Sequence, residues 1–124
     1  MNGKGQLLTH KQLETWKESI KLTTEIYKLT QSFPKEELYG LTNQVRRSAV
    51  SIPSNIAEGC ARQTTKETIQ FLHIALGSVA ELETQLIIAN ELSYTQNIVE
   101  IFDKIVRIRK LIIGLIKFHK KEKV

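Results

Sequence analysis

Apolar side chains recur at spacings of three and four residues along nearly the whole chain. This spacing matches the turn of an α-helix and places the apolar residues of each segment on one face. The predicted helices span residues 10–32, 36–62, 65–91 and 96–119. Four such helices with short connections predict an all-α, up-down-up-down four-helix bundle, formed by residues 1–124 as a single domain.

Three local signals set the expected helix boundaries. Pro34 disfavours helical backbone at Phe33 and so ends the first helix. Thr64 and Glu67 fit a capping box at the start of the third helix. Pro53 falls inside the second helix, where a missing N–H predicts a kink or an interruption.

The first and last helices carry more apolar surface than one core can bury. In the first helix, Trp16 and Ile20 lie nearly opposite Leu22 and Ile26. In the last helix, isoleucines form the main apolar stripe, which is extended on one flank by Val99, Phe102, Val106 and Ile113. Because exposed apolar surface of this extent favours aggregation of a monomer, we expect a homo-oligomer.

Composition narrows the class of protein without naming an activity. The 124 residues include one cysteine, Cys60, so no disulfide can form within the chain. The unbroken apolar runs are too short for a signal peptide or a membrane span. We expect a cytoplasmic protein with no membrane contact.

Positive charge is concentrated in the last quarter of the chain. The net charge is +5, and residues 95–124 carry eight basic and three acidic side chains. Such a segment is typical of proteins that face phosphate, although a merely solvated face has the same composition. No aromatic residues interleave with the basic ones on the helical face that carries Arg107, Lys110, Lys117 and Lys121, which disfavours stacking of single-stranded bases there. The candidate nucleic-acid-binding residues are Arg107, Lys110, Lys117 and Lys121, with Lys104 and Lys120 in support.

A polar stripe follows the second helix, and one carboxylate interrupts the apolar stripe of the third. The residues concerned are Arg47, Asn55, Glu58 and Arg62 on the second helix and Glu83 on the third. A buried carboxylate needs a cation, so we expect a structural polar network in which Arg47 or Arg62 pairs with Glu83. An enzymatic or small-molecule site near Glu58 and Glu83 is the less favoured interpretation.

Residue patterns typical of catalysis or cofactor binding are missing from the sequence. His10, His73 and His119 do not stand at metal-ligand spacings, and Cys60 has no cysteine partner. The Glu-x-x-His pairs of di-iron bundles and glycine-rich phosphate loops do not occur. The sequence therefore predicts a non-enzymatic protein without metal or cofactor.

Several short motifs in the second and third helices resemble one bacterial family. They are FP at 33–34, ELYGLT at 37–42, QVRR at 44–47, SIPSNIAEG at 51–59, GS at 77–78 and ELE at 81–83. Over residues 10–118 the chain resembles the four-helix bundle proteins encoded in intervening sequences of 23S ribosomal RNA genes, the S23 family. The family positions matched here are Arg47, Asn55, Glu58, Gly59, Arg62, Glu81 and Glu83.

The resemblance implies a homopentamer with a central pore and no enzymatic activity. The family is similar to the accessory variability proteins of diversity-generating retroelements, basic pentamers that bind nucleic acid and a reverse transcriptase. By that similarity we expect an oligomeric scaffold that binds structured RNA or DNA and a nucleic-acid-processing protein. The alternative is a protein–protein adaptor with no affinity for nucleic acid.

Overall fold

The computed structural model describes His10, residues 13–96 and residues 98–122, which form a four-helix bundle. Helix α1 spans Glu14–Thr30, α2 spans Leu41–Cys60, α3 spans Thr65–Glu91 and α4 spans Val99–Glu122. Each helix packs against two neighbours, in the cyclic order α1, α2, α3, α4. The predicted all-α four-helix bundle is confirmed. Residues 11, 12 and 97, which fall within the predicted first and last helices, lie outside the described residues.

Helix α2 begins at Leu41, later than the predicted start at residue 36, because Lys35–Glu37 forms a separate 3₁₀ turn. The Glu37 carboxylate accepts a hydrogen bond from the Leu41 backbone N–H at 3.1 Å. It thereby satisfies one of the free N–H groups at the start of α2. A Cβ atom at Gly40 would lie 2.9 Å from Glu37 Oε1, so a larger residue there would displace this carboxylate.

Helix α2 continues without interruption through Pro53. Proline lacks the N–H that would bond the carbonyl four residues earlier, which is that of Ala49. The Thr23 hydroxyl of α1 can serve as a replacement donor: its single hydrogen is shared between Ala49 O, 3.0 Å from Oγ1, and Ser19 O, at 2.8 Å. The side chain of a neighbouring helix thus compensates for the proline.

Both ends of α3 have defined caps. Thr64 Oγ1 accepts a hydrogen bond from the Glu67 N–H at 3.2 Å, which confirms the predicted N-cap. The Glu67 carboxylate accepts a bond from the Thr64 hydroxyl, at 2.9 Å. At the other end Ser93 has φ 63°, and the Tyr94 N–H bonds Ala89 O at 2.9 Å, as in a Schellman motif.

The core is formed by one apolar face of each helix. In α1, Leu22 and Ile26 are buried, whereas Ile20 and Tyr27 on the other apolar face remain 39% and 42% exposed. From α4 the core receives Ile101, Ile105, Ile108, Ile112 and Ile116, all buried. The core face of α1 is therefore the one that contains Leu22.

By length and mean hydropathy alone, α3 is apolar enough to cross a membrane. Leu72, Val79, Leu82 and Leu86 of this helix are buried inside the bundle. The core helix of a bundle meets the same length and hydropathy criteria, so the composition of α3 is weak evidence for a membrane span.

Candidate nucleic-acid interface

The side of α4 that faces away from the core carries polar residues at spacings of three and four. We call this row the outer α4 face; it consists of Asp103, Arg107, Lys110, Gly114, Lys117 and Lys121. Lys110, Lys117 and Lys121 are exposed, and none of the three forms an ion pair with a described residue. The predicted basic face therefore exists as a surface with three unpaired lysines.

Lys104 and Arg107 pair with carboxylates of α1. Lys104 bonds Glu25, and this hydrogen bond raises the pKa of Lys104. Arg107 reaches Glu14 at 3.2 Å and Glu18 at 3.7 Å. These ion pairs connect α4 to α1 and offset the positive charge of both side chains. Lys104 and Arg107 are therefore engaged in contacts between helices within the bundle. The sequence alone did not predict these pairs, since each joins helices far apart in the chain.

Lys120 is exposed but does not extend the row of the outer α4 face. Neighbouring residues of an α-helix point about 100° apart, so Lys120 and Lys121 face different directions. Lys120 forms no ion pair within the described part of the chain. It adds positive charge near the end of α4, beside the row of the other lysines.

Glu83 pairs with Arg109 of α4, at 2.7 Å between Oε1 and Nη2. The predicted pairing with Arg47 or Arg62 is wrong. The reason is geometric: α3 packs between α2 and α4, and Glu83 lies on the flank towards α4. The pair is also only partly buried, since the side chains of Arg109 and Glu83 are 30% and 35% exposed.

The other residues of the expected polar network form separate local contacts. Asn55 donates to Ser51 O and Oγ at 2.8 and 2.9 Å, and Ser51 Oγ lies 2.8 Å from Ser78 Oγ on α3. Arg62 pairs with Glu58 one turn earlier and lies over the ring of Phe71, 4.6 Å from its centroid.

Arg47 is exposed and has no ion-pair partner among the described residues. It lines an open cleft between α2 and α3 with Gln44, Ser48, Ser51, Glu81 and Gln85. Neither Glu58 nor Glu83 belongs to that cleft, so the structure does not bring these two carboxylates together there. Gly59, one of the matched family positions, provides close packing: a Cβ there would lie 3.2 Å from Phe71 Cβ and from Thr68 O.

Reactive groups are sparse on the described surface. Cys60 is an exposed residue, and partial burial of its thiol raises its pKa. The nearby Arg62 is directed to Glu58 and Phe71. Among the described residues, no three His, Cys, Asp or Glu side chains are grouped to hold a metal ion.

A second basic surface, between α1 and α2, was not predicted from the sequence. The guanidinium carbon of Arg46 lies 4.7 Å from the centroid of the Tyr27 ring, and Arg46 Nε donates to Thr30 Oγ1 at 2.8 Å. The QVRR motif supplies both arginines, but the predicted polar network included only Arg47. The cue in the sequence was Tyr27 on the second apolar face of α1, the face that also carries Ile20.

Comparison with protein families identifies one match. The model of the 23S rRNA-intervening sequence protein family matches residues 11–114, which is most of the chain. A search of curated proteins found no match. The motifs in α2 and α3, the four-helix bundle and the extent of this match agree. The chain belongs to the 23S rRNA-intervening sequence protein family.

Proposed function

We propose that this protein binds the phosphates of RNA or DNA through the outer α4 face and carries out no chemistry on them. One observation carries the proposal: Lys110, Lys117 and Lys121 share one exposed face and form no ion pair with a described residue. Cations without a protein partner can replace the counterions condensed on nucleic acid. Release of those counterions drives binding that weakens as salt increases.

The net positive charge of α4 supports the outer α4 face as the binding surface. Within Val99–Glu122 the sequence has seven Lys or Arg and three Asp or Glu. Lys104 and Arg107 are compensated by α1, so we expect them to contribute less than the three unpaired lysines. The description of the family, which names 23S ribosomal RNA, makes a ribosomal RNA fragment the first ligand to test.

Assembly of several copies is a second part of the proposal. Helix α3 leaves Ile87 exposed at 50%, and Leu92 directly after the helix is exposed at 51%. Burial of these side chains between copies would remove apolar surface from water and present several outer α4 faces together. Such an assembly would act as a scaffold for a nucleic-acid-processing protein. Light scattering coupled to size-exclusion chromatography tests it: we expect an oligomer, five copies by the family resemblance, and a monomer contradicts it.

Fluorescence anisotropy with a nuclease-treated protein tests the nucleic-acid function. The ligands are a labelled 23S ribosomal RNA hairpin and a DNA duplex, and the variant is Lys110→Gln/Lys117→Gln. The matched control is Lys21→Gln/Lys28→Gln, which removes the same charge from two exposed lysines of α1. We expect the α4 variant to lose affinity for both ligands and the control to lose much less.

Two results would overturn the proposal. An equal loss in both double variants would show that net charge, and not the outer α4 face, determines binding. No binding by the unmodified protein even at low salt would remove the nucleic-acid function. In that case the protein–protein adaptor becomes the better interpretation, with the exposed Ile74 and Ile88 of α3 as a docking surface.

A further inference from the structure

We infer that the groove between α1 and α2 binds an unpaired, single-stranded stretch of nucleic acid, with a base on Tyr27 and phosphates on Arg46 and Arg47. The inference rests on the proposed function, since it takes nucleic acid as the ligand. It concerns a different surface from the outer α4 face and a different form of the nucleic acid.

The groove consists of two clefts that share Arg46. One cleft, of about 470 Å³, is lined by Tyr27, Asn43, Arg46, Arg47, Val50 and Ser51. The other, of about 360 Å³, continues past Thr30 and Phe33 to Lys35. Because both clefts border Arg46 at the α1–α2 boundary, an extended chain could contact both, which a compact ligand could not.

Tyr27 offers the groove an aromatic surface that is held in place. Arg46 covers one face of its ring, with the guanidinium carbon 4.7 Å from the centroid, and the bond from Arg46 Nε to Thr30 Oγ1 fixes the guanidinium. Tyr27 nevertheless remains 42% exposed. A ring braced on one face and open to solvent is suited to stacking a nucleobase, and the arginine adds a cation–π contribution.

The charges that line the groove are all positive. Lys35, Arg46 and Arg47 line its two clefts, and no carboxylate does. None of these three cations has an ion-pair partner among the described residues. The carboxylate of Glu37 bonds Tyr94 and the Leu41 N–H, and Glu81 lines the separate cleft between α2 and α3 that Arg47 also borders.

Polar groups that carry no charge are also present in the groove. Asn43 is exposed at its edge and offers an amide donor and acceptor to a base or sugar. Thr42, on the wall next to Phe33, is 4% exposed, and its hydroxyl has no hydrogen-bond partner among the described residues. Buried polar groups are rarely left unpaired, which marks this wall as a place where a ligand could complete the bonding.

These features favour a single strand over a duplex. The bases of a duplex are stacked on one another and cannot reach a side chain on a protein surface, whereas unpaired bases can be splayed onto an aromatic ring. The six residues of the outer α4 face include three lysines and no aromatic side chain, and this face suits a duplex backbone; the exposed Phe118 lies beside it.

Anisotropy titrations with a single-stranded oligonucleotide and a perfect duplex test this inference, each as RNA and as DNA of the same sequence. We expect Tyr27→Leu to weaken single-strand binding by about 5- to 150-fold, the cost of one base–aromatic stack, without changing its salt dependence. We expect Arg47→Gln to make the slope of log affinity against log salt shallower by about 0.7, the value for one phosphate on a single strand. Duplex binding should be unchanged in both variants, and Tyr27→Phe should retain single-strand binding.

Tyr39→Leu is the matched aromatic control, because Tyr39 is 91% exposed and lies outside both clefts. Photocrosslinking of an oligonucleotide that contains 4-thiouridine should label the peptide that contains Tyr27. If the unmodified protein binds neither ligand, the proposed function fails and the inference fails with it. If it binds the duplex but Tyr27→Leu and Tyr39→Leu do not differ on the single strand, only the inference is overturned.

Discussion

Thr23 Oγ1 lies 3.0 Å from the carbonyl oxygen of Ala49, the backbone acceptor that Pro53 leaves without its usual N–H donor. A side chain of α1 thereby offers a hydrogen-bond donor to a carbonyl of α2. The contact explains how proline is accommodated in the middle of an unbroken helix. It also ties α1 to α2 beside the groove that contains Tyr27.

Replacement of Thr23 by valine should destabilise the protein by about 1 kcal/mol, because the Ala49 carbonyl loses its donor. In a Pro53→Ala background the same change should cost less, since residue 53 then has an N–H for Ala49 O. Urea unfolding of the four proteins at one concentration measures the coupling. Thr24→Val is the control, because the exposed Thr24 hydroxyl bonds only Ile20 O of its own helix. Equal costs of Thr23→Val in both backgrounds would contradict the compensation.

Two helical glycines should respond in opposite directions to substitution by alanine. At Gly77 a Cβ has nothing within 4 Å, so Gly77→Ala should stabilise the protein by about 0.5–1 kcal/mol through helix propensity. At Gly59 a Cβ meets Phe71 Cβ and Thr68 O at 3.2 Å, and neither atom can yield unless α3 moves. Gly59→Ala should therefore destabilise by about 1 kcal/mol. Thermal unfolding checks both changes, and a stabilised Gly59→Ala variant would disprove the close packing.

The Glu83–Arg109 pair should stabilise the contact between α3 and α4 more than the Glu58–Arg62 pair stabilises α2. The first joins two helices and is partly buried, whereas the second lies within one helix and is more exposed. Double-mutant cycles with Gln and Met should give about 1 kcal/mol for Glu83–Arg109 and about 0.3–0.5 kcal/mol for Glu58–Arg62. A coupling energy near zero for Glu83 and Arg109 would mean that their contact in the structure contributes nothing to stability.

Alkaline pH should weaken the hydrogen bond between Tyr94, in the connection after α3, and Glu37, in the connection before α2. The Tyr94 hydroxyl donates to Glu37 Oε2 at 2.9 Å, and this bond, with partial burial and the charges of Glu37 and Glu36, raises the pKa of Tyr94 above its ordinary value of 10.0. A raised pKa in the folded state means that the folded protein holds this proton more tightly than the unfolded chain. The resulting stability is present below about pH 10 and is lost as pH rises through the pKa of the folded state.

Denaturant unfolding between about pH 8 and 12 measures this effect against Tyr94→Phe, which cannot ionise. The difference in unfolding free energy between the two proteins should be constant below about pH 10. Above that pH the unmodified protein should lose stability relative to Tyr94→Phe. Parallel pH curves for the two proteins would show that Tyr94 is not coupled to folding. NMR of the Tyr94 ring in Glu37→Gln should show a lower pKa than in the unmodified protein.

The structural features that the sequence predicted correctly are those that depend on local periodicity and helix capping. The spacing of Ile101, Ile105 and Ile108 predicted the core face of α4, and Thr64 with Glu67 predicted the start of α3. Each depends on residues within a turn or two of one another, so the pattern can be read along the chain.

The features that were missed depend on which helices become neighbours. The donor from Thr23 to Ala49 crosses from α1 to α2, and the partner of Glu83 lies on α4. The same holds for the outer α4 face, where the sequence could not show that α1 carboxylates neutralise Lys104 and Arg107. Helix periodicity gives the face on which a side chain lies, but the identity of the opposing residue is a tertiary property.

The salt dependence of duplex binding tests the proposed role of the outer α4 face most directly. Each phosphate that the protein no longer neutralises should make the slope of log affinity against log salt shallower by about 0.9 on B-form DNA. The variant Lys110→Gln/Lys117→Gln/Lys121→Gln should therefore have a slope shallower by about 2.7 than that of the unmodified protein if each lysine binds one phosphate. An unchanged slope in the triple variant would show that these lysines do not contact the nucleic acid.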